Sequence, residues 1–137
     1  MQDKVFIDSN IWLYALVQCS VEQEKNLKAK ACIVEISDIV VSTQVVNEVC
    51  INLMRKANKD NVFIEQFLHD FMGTYTVIAQ TKEDILQAAS LRQDYHFSYW
   101  DSLIVACALR SHCQVLYSED MQHGLNVYQK LKICNPL

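Results

Sequence analysis

Glycine and proline are scarce: the 137-residue chain has two of one and one of the other. That scarcity excludes long flexible linkers and favours regular elements joined by short connections. No run of like charge and no fixed-period repeat interrupts the chain. The six cysteines, Cys19, Cys32, Cys50, Cys107, Cys113 and Cys134, contain no C-x-x-C pair, and the four histidines lack H-E-x-x-H or comparable zinc spacing. Free, buried thiols are therefore expected, since a disulfide framework suits a shorter secreted chain. From Met1 to Asp8 no basic segment leads into an apolar stretch, and no later run is long enough to cross a bilayer. The expectation is a cytoplasmic protein without membrane association. An excess of positive charge is also missing. The formal net charge is -4, whereas phosphate-binding proteins usually carry a basic footprint, so composition alone does not suggest a nucleic-acid partner.

What is present is apolar. Hydrophobic residues make up 51% of the chain, enough for a substantial core, and the length suits one domain spanning residues 1–137. Lys4–Ile7 reads as a first strand, ending at Asp8-Ser9-Asn10 and followed by a helix through Trp12, Leu13, Leu16 and Val17. Val21–Ser37 reads as a second helix, charged on one face, with Leu27, Ala31, Val34 and Ile36 near the other. Ile39–Val41 is a short buried strand; Ser42 or Thr43 is placed to cap a helix running to about Lys56. A helix over Asp60–Phe71 and a strand over Tyr75–Ala79 follow. Thr81-Lys82-Glu83-Asp84 resembles a capping box, opening a helix to about Tyr95. Ser98 caps another, Tyr99–Ser111, whose run from Leu103 to Leu109 is apolar all round and so buried on most sides. Val115–Tyr117 and Leu131–Cys134 are further strands. Short apolar strands alternating with helices predict an α/β fold: a central parallel sheet of four to five strands with helices on both faces.

Ligands of such sheets bind beyond the carboxyl ends of the strands, which directs attention to the acids there. Asp8 follows the first strand, and Glu119 and Asp120 follow Val115–Tyr117. Glu48 lies in the helix after the second strand, and Asp101 begins the apolar helix. Each has a structural explanation. Asp8 caps a helix; Asp101 completes a capping box with Ser98; Glu48 shares a solvated helix face with Gln44, Asn52 and Arg55; Glu119 and Asp120 are first-turn acids favoured by a helix dipole. Jointly they read differently. A parallel sheet gathers its strand ends at one edge, where carboxylates repel one another unless a cation joins them. Hard divalent ions such as Mg²⁺ or Mn²⁺ prefer such oxygen ligands, polarise phosphoryl groups and generate hydroxide near neutral pH. No Walker A loop or G-x-G-x-x-G competes with this reading.

Four blocks then carry a resemblance. They are Phe6-Ile7-Asp8-Ser9-Asn10, Asn47-Glu48, Ser98-Tyr99-Trp100-Asp101-Ser102-Leu103-Ile104-Val105-Ala106, and Leu116-Tyr117-Ser118-Glu119-Asp120-Met121-Gln122-His123-Gly124. Together with Ile133-Cys134-Asn135-Pro136 they span nearly the whole chain, which resembles PIN-domain proteins and specifically the VapC-type toxins of bacterial toxin–antitoxin pairs. The third and fourth blocks, at this separation, are the specific ones.

The resemblance implies a three-layer α/β/α fold and a Mg²⁺- or Mn²⁺-dependent endoribonuclease that hydrolyses single-stranded or looped RNA to 5′-phosphate and 3′-hydroxyl ends. It carries the catalytic role to Asp8, Glu48, Asp101 and Asp120, with Asp8 and Asp101 as direct metal ligands. Asn10 falls on a polar position supporting the first acid, and Ser118 on a small hydroxyl position near the fourth. Glu119 has no firm equivalent. A homodimer and a small VapB-like antitoxin partner are also implied. With a net charge of -4, attraction for RNA has to come from local cations such as Arg55, Lys56, Lys130 and Lys132. Two rivals stand beside this reading. A haloacid-dehalogenase-like phosphatase also has a carboxylate directly after the first strand, but needs an acid where Asn10 stands. A non-catalytic PIN-fold binding module would not need four acids.

Overall fold

The computed structural model describes residues 3–18 and 20–137. The strands are β1 (Lys4–Ile7), β2 (Asp38–Ser42), β3 (Thr76–Ile78), β4 (Val115–Tyr117), β5 (Asn126–Val127) and β6 (Leu131–Cys134). The helices are α1 (Ser9–Leu16), α2 (Gln23–Glu35), α3 (Thr43–Lys56), α4 (Asn61–Thr74), α5 (Lys82–Asp94) and α6 (Tyr99–Arg110). They flank a sheet of order β3-β2-β1-β4-β6-β5, parallel except where β5 pairs antiparallel with β6. Helix pairs fill each crossover: α1 and α2 link β1 to β2, α3 and α4 link β2 to β3, and α5 and α6 link β3 to β4.

Chain direction reverses around β1. The first two crossovers move outward through β2 to β3; the third returns to the other side of β1 to place β4. The β1–β4 boundary is therefore the topological switch point, where open α/β sheets form their crevice. In β1, Val5, Phe6 and Ile7 are all at most 4% exposed. Successive strand side chains point to opposite faces, so both faces of the sheet are covered, as the continuous apolar runs predict. Phe6, Val40, Val41, Leu116 and Ile133 meet Ile11, Val45, Val49, Leu91 and Ile104 from the helices in one core. The thiols of Cys50, Cys107 and Cys113 are buried and those of Cys32 and Cys134 half-buried, all five unbridged; Cys19 lies outside the described residues.

Three expectations change. The segment expected as one helix over Val21–Ser37 has a 3-10 turn at Ser20–Glu22 before α2, and α2 turns Asn26 and Ala29 inward while Leu27 and Val34 are 60% and 83% exposed. Asn26 wins the inward place because its amide donates to the Tyr14 carbonyl in the last turn of α1. The sheet has six strands rather than four to five. The added β5 forms a tight hairpin with β6 through Tyr128 and Gln129, both at positive φ (50° and 57°), with Lys130 N–H donating to the Val127 carbonyl. Two positive φ values in succession mark the turn whose twist matches a hairpin, usually built from Asn-Gly. Here Tyr95 and Asp94 hold it: the Tyr95 hydroxyl oxygen accepts from the Tyr128 backbone N–H, and the Asp94 carboxylate accepts from the Tyr128 hydroxyl. Finally, no helix follows β4. Residues 118–125 form bends and turns, so Glu119 and Asp120 are not first-turn acids.

Candidate active site

Asp8 leaves the C-terminal end of β1, and its backbone N–H donates to the Tyr117 carbonyl, tying it to the end of β4. It does cap α1, accepting from Ser9 N–H at 2.7 Å. The cap uses one carboxylate oxygen. The other accepts from Ser118 Oγ at 2.8 Å and from Asn10 Nδ2 at 3.4 Å. Asp8 is 4% exposed, and burial raises its pKa to about 7; the hydrogen bonds from Ser118 and Ser9 oppose the rise, and the charges of Glu48 and Asp101 add to it.

Ser118 is buried and faces Asp8, while Asp120 N–H donates to its hydroxyl at 3.2 Å. Asn10 is the hub of this corner: Nδ2 reaches Asp8, Ser118 Oγ and the Asp120 carboxylate (3.0 Å), and Oδ1 accepts from Glu119 N–H. A single amide thus fixes the loop after β4 against the start of α1.

The alternative explanation of Glu48, as one charge on a solvated face of α3, does not hold. Gln44, one turn earlier, is 9% exposed, and Glu48 Oε1 is buried with no hydrogen-bond partner. Burial raises the Glu48 pKa, countered in part by Ser9 and Gln44, and the charges of Asp101 and Asp120 raise it further. The cause is tertiary: Gln44 donates to the Trp100 carbonyl at the start of α6, drawing that face of α3 against α6. Asp101 is half-buried. Its N–H donates to Ser98 Oγ at 3.1 Å, so Ser98 caps α6, but only that half of the capping box forms; in α5 both Thr81 and Asp84 make theirs. The Asp101 carboxyl does not reach back to the Ser98 backbone N–H; burial raises its pKa, the Ser98 side-chain contact lowering and the Asp120 charge raising it.

The structure therefore brings the four sequence-predicted acids within electrostatic reach of one another. None of them joins an ion pair among the described residues. Other sheltered carboxylates do. Asp84, 1% exposed, pairs with Arg110 at 2.8 Å; burial pushes its pKa up, but Arg110, Thr81 and Cys107 outweigh that and hold it below the usual range. Glu119 pairs with Lys25 at 2.8 Å and accepts from Tyr14 Oη, contacts that outweigh its own burial and keep it ionised. Glu119 is thus a brace between α1, α2 and the loop after β4. The sequence offered no signal for that role, because Lys25 and Tyr14 are far from it in the chain.

A model of the PIN domain family matches residues 5–124. The chain belongs to the PIN-domain family. Solved structures share the fold. A chain of a toxin–antitoxin complex from Klebsiella pneumoniae aligns over 98% of both chains with a TM-score of 0.74 at 16% identity. VapC20 of Mycobacterium tuberculosis, a toxin that cleaves the sarcin–ricin loop, aligns over 85% of this chain and 92% of its own, with a TM-score of 0.68 at 15% identity. VapBC2 of Rickettsia felis, bound to a DNA fragment from its promoter, aligns over 96% and 97%, with a TM-score of 0.62 at 16% identity. No curated protein matches the sequence significantly. Membership in this family sets aside the phosphatase alternative. The geometry agrees, since the position that chemistry needs as an acid is Asn10, an amide donating to three oxygens.

Does this PIN domain suit a divalent cation? Among the described residues no three His, Cys, Asp or Glu side chains close into a ready-made metal cage. The donor set is nevertheless of the right kind. It is all oxygen, it carries no compensating cation, and it includes a buried carboxylate oxygen with no partner. Leaving such an oxygen unsatisfied is costly. An ion that binds through one or two carboxylates and keeps its waters fits this open arrangement.

Proposed function

We propose that this chain, as a single PIN domain over residues 1–137, is a metal-dependent endoribonuclease acting in the cytoplasm as the toxin of a toxin–antitoxin pair. The observation that carries the proposal is the contrast in charge pairing. Asp84 and Glu119 are matched by cations, whereas Asp8, Glu48, Asp101 and Asp120 repel one another at the switch point of the sheet with none. A fold does not keep such a cluster for stability.

Asp8 and Asp101 would hold Mg²⁺ or Mn²⁺, with Glu48 and Asp120 completing the negative surface. The ion would supply a polarised phosphoryl oxygen and a water of lowered pKa. The protein's own part is orientation. Ser118 and Asn10 lock Asp8 in one rotamer, Ser98 caps α6 and touches the Asp101 carboxyl, and Asn10 sets Asp120. Lys56 lines a concavity of about 580 Å³ with Asn10, Tyr14 and Asp120, and offers phosphate a local positive charge despite the net charge of -4. The sarcin–ricin-loop activity in the name of one structural relative and the toxin–antitoxin assemblies of two others support RNA as substrate and a small VapB-like antitoxin as partner. Exposed apolar side chains on α2, α4 and α5, such as Val34, Val62 and Leu86, offer surface for that antitoxin and for a homodimer.

The test is incubation of purified protein with total RNA, with EDTA and then with Mn²⁺ or Mg²⁺ restored. New 5′-phosphate ends that appear only with the ion support the proposal; intact RNA under every condition would leave a binding module without catalysis.

A further inference from the structure

The chain has two tryptophans, and they differ sharply in setting. Trp12 is 3% exposed, wedged against Phe71 and Tyr75 in the core. Trp100 is 61% exposed, although it directly precedes Asp101 in the acidic cluster. Its ring stands edge to face with Tyr99 at 5.3 Å, and its carbonyl accepts from Gln44 at 3.2 Å, so the residue is anchored while its ring faces solvent.

Beside that ring lies a concavity of about 380 Å³, lined by Thr43, Gln44, Asn47, Glu48, Gln80 and Trp100. Its lining is selective. Gln44 is fully used, donating to Trp100 and accepting from Gln80 Nε2 at 2.8 Å. That leaves Gln80 with a spare carbonyl oxygen, and the Asn47 amide, exposed one residue before Glu48, makes no hydrogen bond among the described residues. Glu48 is the one charged residue of the lining, and it is negative. A phosphate would be repelled here and would find no cation. A neutral, flat group with donors and acceptors on its edge would find an aromatic face and two free amide edges.

We propose that Trp100, Asn47 and Gln80 form a base subsite, in which an unpaired nucleobase beside the scissile phosphate stacks on Trp100 and presents its edge to the two amides. The inference rests on the ribonuclease reading above. It adds a substrate preference: the RNA must have an unstacked base at that position, because a base inside a helix cannot lie on a side chain. Base–aromatic stacking tolerates any base, so Trp100 supplies affinity and the amides supply discrimination.

The experiment measures cleavage of a single-stranded RNA oligonucleotide that the wild-type protein cuts. Trp100→Ala is expected to raise KM about tenfold, inside the roughly 5- to 150-fold range of a lost stack, with a smaller change in kcat. Trp100→Phe should recover most of the loss. A single abasic nucleotide is then walked along the substrate. One position should weaken wild-type cleavage by a similar factor and cost Trp100→Ala nothing more, a coupling that a merely structural role would not produce. Because Trp100 is 61% exposed, the unfolding temperature should not move. A wild-type KM in Trp100→Ala, or abasic penalties that persist in it unchanged, overturns the subsite and leaves the nuclease standing. Absence of cleavage by the wild-type protein with either ion overturns both.

Discussion

Replacing Asp8 by asparagine separates a carboxylate kept for function from one kept for structure. Its pKa rises from the ordinary 3.8 to about 7 in the folded protein, mainly through burial. Below pH 3.8 the carboxyl is protonated in both folded and unfolded chains, and stability is full. As pH rises from 3.8 to 7 the unfolded chain releases the proton while the folded chain keeps it, so stability falls, levelling off above 7. At ~1.4 kcal/mol per pH unit the interval from 3.8 to about 7 amounts to about 4 kcal/mol, of which about 3 falls between pH 5 and 8. That is a large share of the ~5–15 kcal/mol by which a domain is stable. Asn at position 8 has no charge to bury. Its amide oxygen can keep the Ser9 N–H bond, while its NH₂ meets the Asn10 amide that donated to Asp8, a loss of about 1 kcal/mol. Urea denaturation in EDTA should therefore show wild-type stability dropping by ~3 kcal/mol more than that of Asp8→Asn between pH 5 and 8. At pH 8 the variant should be the more stable protein. Adding Mg²⁺ or Mn²⁺ at pH 8 should restore the wild type and leave Asp8→Asn unchanged. Parallel pH dependences for the two proteins would refute the reasoning, since Asp8 would then ionise in the fold without cost.

Other outcomes follow from the same geometry. Asp101→Asn should abolish cleavage by orders of magnitude at nearly unchanged stability, whereas Ser98→Ala should cost ~1 kcal/mol of cap and keep most activity, measured by paired cleavage and denaturation assays. Thermal unfolding of the wild type should shift upward with Mn²⁺ and return with EDTA; an equal shift in Asp8→Asn would place the ion elsewhere. Asp84→Ala removes the carboxylate that completes the α5 capping box at Thr81 N–H and pairs with the exposed Arg110, and should cost ~1–2 kcal/mol by urea denaturation, with activity per folded molecule retained. Glu119→Gln should loosen the Lys25 and Tyr14 brace, lowering the unfolding temperature without removing metal-dependent cleavage.

Local chemistry made much of this protein legible in its sequence. Apolar runs four residues long or less, set between amphipathic stretches and capped by Ser42, Thr81 and Ser98, located β1, β2, β4, β6 and the spans of α3, α5 and α6 within a residue or two. The alternation of those short apolar strands with helices pointed to a parallel sheet, because a helix supplies the long crossover that parallel neighbours need. Gly124 is one place where a turn needs glycine itself, at φ 87° with its N–H donating to the Ile133 carbonyl.

What the sequence could not settle depends on groups that meet only after folding. The two-residue β5 was hidden because Tyr128 and Gln129 hold their positive φ through Tyr95 and Asp94, not through a local Asn-Gly signal. The inward face of α2 was misread because the Tyr14 carbonyl selects Asn26 over Leu27. Glu48 looked solvated by helical period alone, since nothing within α3 reports that the start of α6 closes over Gln44. Glu119 and Asp120, adjacent in sequence, part company for the same reason: Lys25 claims one, and Asn10 turns the other toward Asp8. Periodicity and capping are properties of neighbours along the chain and so determine which elements form. Whether a carboxylate is paired, capped or left facing its own kind depends on strand order, and that order is set by long-range pairing across β1.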